Sequence, residues 1–189
     1  MTGRWIPNAI CVLRMALVAP VTLTLLNGDY ATTLLLFAVA AASDGLDGWL
    51  AKTFDWTSRL GGILDPIADK LLLVTVIVVL VVRELVPPWL ALSVVLRDVV
   101  IVGGATAYHF LIGRLEGRPT IVSKLNTLVQ LSFVLIVVAA AAWPSVPRPL
   151  VLALGAATFV TTVVSGIDYV LTYARLAWRE SHRPVAAAR

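Results

Sequence analysis

A bundle of six transmembrane α-helices in one domain is the fold class this sequence predicts, and three observations predict it. Hydrophobic residues make up 59% of the 189 and charged residues 14%, and the mean hydropathy is +0.91, far from the balance of a soluble domain. The apolar residues gather near 7–26, 30–50, 66–83, 89–112, 120–143 and 148–174, each stretch long enough to cross a hydrocarbon core of about 30 Å as a helix. Runs such as LLLVTVIVVLVV at 71–82 do not alternate, which argues against a membrane β-barrel.

Each element has its own signal. The first stretch carries Arg14 and lacks a small-residue cleavage site before the next helix, so it is expected to remain a helix, not to act as a signal peptide. NGD at 27–29 breaks it from the second, which ends in SDGLDGWLAK. A polar, glycine-containing connection, KTFDWTSRLGG at 52–62, leads to the third, and VPP at 86–88 separates that from the fourth, which holds Arg97 and Asp98. GRLEGRPT at 113–120 precedes a fifth helix that opens with Ser123, Lys124, Asn126, Thr127 and Gln130. WPSVPRP at 143–149 introduces the sixth, which contains Asp168. Trp5, Trp89, Trp143 and Trp178 fall near the predicted interfaces, as an aromatic belt would. With no linker and no alignable repeat, residues 1–180 read as one domain and 181–189 as a short basic tail.

Orientation follows from the basic residues. If both termini are cytoplasmic, Arg4, Lys52, Arg59, Arg114, Arg118, Lys124, Arg175, Arg179, Arg183 and Arg189 all lie inside, against Arg83 and Arg148 outside. The net charge of +4 then answers to anionic lipid of the inner leaflet, and no nucleic-acid partner is called for. Cys11 is the lone cysteine, so an intramolecular disulfide is excluded and no thiolate or cysteine-rich metal chemistry is suggested. His109 and His182 stand beside no nucleophile and read as structural or solvated.

Against this apolar background four aspartates are conspicuous. Asp44 and Asp47 are three apart near the end of the second helix, and Asp65 and Asp69 are four apart near the start of the third, so each pair shares a helix face. If the two helices pack antiparallel, the four carboxylates converge on one small volume at the cytoplasmic side. Such a group needs cations, and an all-oxygen donor set suits hard divalent ions, one or a bridged pair, as in phosphoryl displacement. The small residues Gly45, Gly48, Ala51, Gly61 and Gly62 serve either close approach of a ligand or tight helix packing. Lys52 and Arg59 are either phosphate-binding groups or cytoplasmic anchors.

The stretch Asp44-x2-Asp47-Gly48-x2-Ala51-Lys52-x8-Gly61-x3-Asp65-x3-Asp69 resembles the signature D-x2-D-G-x2-A-R-x8-G-x3-D-x3-D of the CDP-alcohol phosphotransferase family, every spacing included. Lys52 stands where the family usually has Arg, and it meets a phosphate as a point charge, not as a bidentate fork. The resemblance implies a membrane enzyme that transfers a phosphatidyl group from CDP-diacylglycerol to an alcohol and releases CMP. It implies that Asp44, Asp47, Asp65 and Asp69 hold two divalent metals, Mg²⁺ or Mn²⁺. Asp69 would complete the second site or act as the catalytic base, while Gly48, Ala51 and Gly61 line the cytidine side and Lys52 meets the diphosphate. A homodimer in the cytoplasmic membrane of a bacterium, with its active site at the cytoplasmic face, is likewise implied.

Two further patterns bear on the acceptor. Arg97-Asp98-Val99 followed by Ser123-Lys124-x-Asn126-Thr127-x2-Gln130 resembles the cardiolipin synthases of the family, whose acceptor is phosphatidylglycerol. The related phosphatidylglycerophosphate synthases, whose acceptor is glycerol 3-phosphate, more often carry R-E-[IV] and G-K-x-K-T there. In either case Arg97 and Lys124 are candidates to hold an acceptor's phosphate, with Arg14 in support near the substrate entrance. The competing reading of Arg97 and Asp98 is a structural ion pair. An ion transporter is the alternative from another class, but it predicts carboxylates spread through the bilayer and paired inverted repeats.

Overall fold

The computed structural model describes the backbone of residues 5–54, 61–111 and 120–181, and the side chains of 12–43, 70–104, 106, 120–173 and 175. The described residues are entirely helical apart from short turns: α1 (Trp5–Leu26), α2 (Tyr30–Phe54), α3 (Gly61–Val82), α4 (Pro88–Leu111), α5 (Ile121–Ala142) and α6 (Arg148–Ser181). The all-α class and the six elements expected from the sequence are thus present.

Packing closes these helices into a ring. α1 packs against α2 and α3, α2 against α5, α5 against α6, α6 against α4, and α4 more thinly against α3. The core runs through the middle of that ring, with Val21, Leu25, Phe37, Val76, Ile77, Leu80, Leu90, Val94, Val134 and Val138 almost wholly buried. The outer surface is also apolar. Leu35, Leu92, Leu128, Leu152 and Val160, from four of the helices, are each more than half exposed, unlike the surface of a water-soluble bundle. Among the described residues, Ile121–Ala142 and Arg148–Tyr173 are long and apolar enough to cross a membrane, both with a hydropathy of 2.1.

The turns at one end are set by backbone geometry. α1 stops in a Schellman cap in which Asp29 N–H donates to Thr24 O (2.9 Å) and Gly28 N–H to Leu25 O (3.2 Å), with Gly28 at φ 78°. α3 ends the same way, Leu85 N–H donating to Leu80 O and Glu84 N–H to Val81 O (both 2.9 Å). There the left-handed position is filled by Glu84 at φ 58°. The two turns meet: Arg83 donates to the Tyr30 hydroxyl (3.0 Å) and stands 5.8 Å from the centre of its ring. Asp29 begins α2, its Oδ1 accepting from Thr32 N–H at 3.1 Å, and hydrogen bonding from the Thr32 side chain and then its backbone holds the carboxyl below its ordinary value of 3.8.

Opposite effects are expected at the two left-handed positions. Glu84→Gly should raise stability by up to about 1 kcal/mol, whereas Gly28→Ala should lower it by about 1–2 kcal/mol, because only the second puts a Cβ into left-handed backbone. Thermal unfolding in detergent reads both. For Asp29 the sign follows from its lowered pKa: the charged cap stabilises the folded state above 3.8 and is lost as pH falls through the lower folded value. The advantage of wild type over Asp29→Ala should therefore be full at neutral pH and shrink in strongly acid solution.

Candidate active site

Chain order places the carboxylates. α2 runs helical through Asp44, Asp47, Gly48, Ala51 and Lys52 to Phe54, and α3 through Asp65 and Asp69 from Gly61. The end of one and the start of the other therefore lie at the same end of the bundle, and unbroken helix keeps each aspartate pair on one face. The side chains of Asp44, Asp47, Gly48, Ala51, Lys52, Gly61, Asp65 and Asp69 lie outside the described residues. Among the residues that are described, no three metal-ligating side chains gather.

Arg14 of α1 is 1% exposed and lines a cavity of about 70 Å³ with Phe37, Ala40, Ala41, Leu72 and Leu73. Ala40 stands one helical turn before Asp44 and Leu73 one turn after Asp69. The Arg14 cavity is thus one turn deeper in the bundle than the aspartate-bearing turns. Lys124, in the first turn of α5, is exposed.

Arg97 is buried, and each of its three nitrogens is engaged. Nη1 donates to Asp98 Oδ1 (2.8 Å), Nη2 to Ser123 Oγ (2.6 Å) and Ser165 Oγ (2.6 Å), and Nε to Ser165 Oγ (3.2 Å). The same Asp98 oxygen lies 2.5 Å from Lys70 Nζ, so one carboxylate is shared between a cation of α3 and one of α4. The network joins four helices, α3 to α6. Arg97 and Lys124 are therefore not brought together as a pair of open cations: the first is held internally and the second faces outward.

A polar seam continues from this node between α5 and α6. Asn126 Oδ1 accepts from Thr161 (2.9 Å) and Thr162 (3.0 Å), and Gln130 Nε2 donates to Thr162 Oγ1 (3.1 Å). Asn126 Nδ2 and Thr158 Oγ1 are buried without a partner among the described residues, as is Asp168 Oδ2. Tyr169 donates to Ile101 O of α4 (2.8 Å). On the other side of Arg97 an apolar groove of about 400 Å³ opens between α4 and α6, lined by Leu96, Val100, Val163, Ile167 and Leu171.

Reading the sequence passed over Lys70, Ser165, Thr161 and Thr162. A signal was available: Thr158, Thr161, Thr162 and Ser165 recur every three or four residues, a hydroxyl stripe that matches Ser123, Asn126 and Gln130 on α5.

An all-helical bundle that is apolar outside, polar along an inner seam, and carries two aspartate pairs at one end defines the class as a membrane-type helical protein with an acidic site. More particularly, the chain belongs to the CDP-alcohol phosphatidyltransferase family, whose model matches residues 4–174. It is similar to a Drosophila melanogaster protein named probable cardiolipin synthase (CMP-forming), at 30% identity over 88% of this chain and 56% of that one. The Homo sapiens cardiolipin synthase (CMP-forming) is 29% identical over 87% of this chain and 60% of its own length. A Pseudomonas fluorescens CDP-diacylglycerol–glycerol-3-phosphate 3-phosphatidyltransferase is 36% identical over 69% of this chain and 71% of its own. The chain thus spans somewhat over half the length of the two cardiolipin synthases.

Breaking the buried node should be expensive. Arg97→Met leaves Asp98 paired with Lys70 but strips Ser123 and Ser165 of their donor, and should lose about 1–3 kcal/mol of stability. Thr162→Val, which removes one hydroxyl from the seam, should lose about 1 kcal/mol. Thermal unfolding in one detergent compares the two.

Proposed function

We propose that the protein is a membrane phosphatidyltransferase that moves a phosphatidyl group from CDP-diacylglycerol to an alcohol and releases CMP. The observation that carries this reading is the pair of aspartate faces on α2 and α3, within a chain whose family match spans residues 4–174. The donor set, four carboxylates and no sulfur, fits hard divalent cations, and Asp44, Asp47, Asp65 and Asp69 are the residues to hold two of them. Bound there, Mg²⁺ or Mn²⁺ neutralises the diphosphate and the charge that develops on the departing CMP. Lys52 meets the diphosphate as a point charge, and Gly48, Ala51 and Gly61 leave room for the cytidine. Asp69 completes the metal set or takes the proton from the acceptor hydroxyl, whose oxygen attacks the lipid-side phosphorus as the bond to CMP breaks.

The preferred acceptor is phosphatidylglycerol, which makes the product cardiolipin. Arg97, a buried cation of α4, donates to Asp98, Ser123 and Ser165. An internally compensated arginine suits the phosphodiester monoanion and terminal glycerol of phosphatidylglycerol better than a phosphomonoester dianion. Glycerol 3-phosphate is the second reading, supported by the 36% identity to the Pseudomonas fluorescens protein. Lys124 and Arg14 are the remaining candidates to meet acceptor phosphate.

The reading also takes all six helices as membrane spans, in a single domain of residues 1–180 followed by a short basic tail. Both termini are cytoplasmic and the active site is at the cytoplasmic face of a bacterial inner membrane, with the homodimer as the working unit. The bias of basic residues supports the orientation. α6, at 34 residues, is about 51 Å long and so projects beyond a core of about 30 Å, which agrees with a basic end on the inner side.

Purified protein with Mg²⁺ and CDP-diacylglycerol, given phosphatidylglycerol or glycerol 3-phosphate separately, should release CMP and form cardiolipin with the first. Phosphatidylglycerophosphate formed with the second alone would reverse the acceptor assignment, and no CMP with either would remove the enzyme reading. Asp69→Asn should abolish transfer while leaving CDP-lipid binding largely intact. Wild-type turnover in that variant would take Asp69 out of the base and metal roles.

A further inference from the structure

We infer that Asp98 is a positioning residue for the acidic site: by holding Lys70 it fixes the rotation of the first turns of α3, and with it the placement of Asp65 and Asp69. The inference rests on the proposed function in taking those aspartates as metal ligands. Lys70 follows Asp69 directly in a continuous helix, so the direction of one about the helix axis dictates that of the other. Lys70 Nζ lies 2.5 Å from Asp98 Oδ1, and that oxygen is itself held at 2.8 Å by Arg97, whose other nitrogens are fastened to α5 and α6.

The described inner face of α3, Leu72, Leu73, Val76, Ile77 and Leu80, is aliphatic and packs into the core and against α1, and Lys70 precedes it in the helix. Among the described residues of α3, the Lys70 contact with Asp98 is the one polar contact to another helix. A carboxylate stands about 6 Å from its helix axis, so a 20° rotation moves it by about 2 Å. That displacement is as large as a whole Mg–O bond, for an ion that demands near-ideal octahedral geometry.

A simple charge effect makes a different prediction. If Asp98 and Lys70 acted only through their fields, Asp98→Asn would weaken binding of a divalent cation and Lys70→Met would strengthen it. A positioning role predicts that both weaken it, since either change releases the same contact.

The test is Mn²⁺ binding to the full chain in lipid nanodiscs, followed by electron paramagnetic resonance, with CMP release from CDP-diacylglycerol as a second readout. Asp98→Asn and Lys70→Met should each weaken Mn²⁺ binding by about 10-fold to 100-fold, the range found when residues that support metal ligands are removed. Both should lower kcat far more than they alter KM for CDP-diacylglycerol. Asp98→Glu, which keeps the charge on a side chain one methylene longer, should recover most of the Mn²⁺ affinity. Thr162→Val, which weakens the same bundle away from Lys70, should bind Mn²⁺ as wild type does. The inference is overturned if Lys70→Met binds Mn²⁺ as well as or better than wild type, or if Thr162→Val loses as much affinity as Asp98→Asn. Should the expected losses occur in a protein that releases no CMP with either acceptor, the positioning role stands and the proposed function falls. A wild-type protein that binds no Mn²⁺ would overturn both.

Discussion

One carboxylate shared by two cations holds this bundle closed. Asp98 is 6% exposed, and its Oδ1 meets Lys70 from α3 and Arg97 from its own helix. In surroundings of low dielectric the attraction is strong, but so is the penalty for removing any one of the three from water. Two cations around one anion would leave a net positive charge buried if both were fully enclosed. The structure avoids this asymmetrically: Arg97 is sealed inside and given serine hydroxyls, while Lys70 keeps 35% of its side chain exposed. The apolar contact between α3 and α4 is thin, so the ring of helices depends at that joint on electrostatics.

The remaining joints solve a different problem. Between apolar helices in an apolar medium there is no hydrophobic gain to choose one register over another, so packing and hydrogen bonds must do it. The α5–α6 interface uses both. Gly155 lets the ring of Phe133 come so near that an added Cβ would stand 3.2 Å from it, and Asn126, Gln130 and Thr162 bond across the interface one to two turns further along. Near the opposite end from the aspartates, Trp89 of α4 meets Phe159 of α6 edge to face at 5.3 Å. Sliding either helix by one turn would separate these partners together, which makes the register cooperative.

Much of this was legible in the sequence because lipid imposes a simple grammar. A hydrocarbon layer fixes the length of apolar stretches, and the breaks NGD, VPP and WPSVPRP are turn chemistry, so the helix boundaries lie within a few residues of those expected, except at the start of α3 and the ends of α2 and α6. Those exceptions share a cause: glycines and charged residues such as Gly61, Gly62, Asp65, Lys52, Arg175 and Arg179 interrupt the apolar pattern, yet the helix continues through them. The ring order was not legible, since pairwise packing depends on which face each helix turns inward, and all-round apolar helices carry a weak face signal. Arg97 illustrates the same limit. Its presence inside a helix marked it as paired or functional, but whether its partners were Asp98 and two serines or a ligand is a matter of distances between α4, α5 and α6, which no spacing along the chain encodes.

That arrangement changes what the acceptor motifs mean. Ser123 and Asn126 set the chain apart from patterns in which glycine and lysine occupy those places, and the direct reading would have them touch the acceptor. Ser123 instead accepts from Arg97, and Asn126 is fully buried against Thr161 and Thr162. A lysine at 126 would place an uncompensated charge in that buried seam or drive its ammonium out toward the aqueous end of α5, beside Lys124. A glycine at 123 would release one of the two hydroxyls on Arg97 Nη2. The first change would add a positive charge at that end of the bundle and the second would leave Arg97 less compensated, and a phosphomonoester dianion gains more from either than a phosphodiester monoanion does. Under the proposed function, acceptor preference would then be a property of charge compensation behind the site, exerted by residues that need never contact the acceptor.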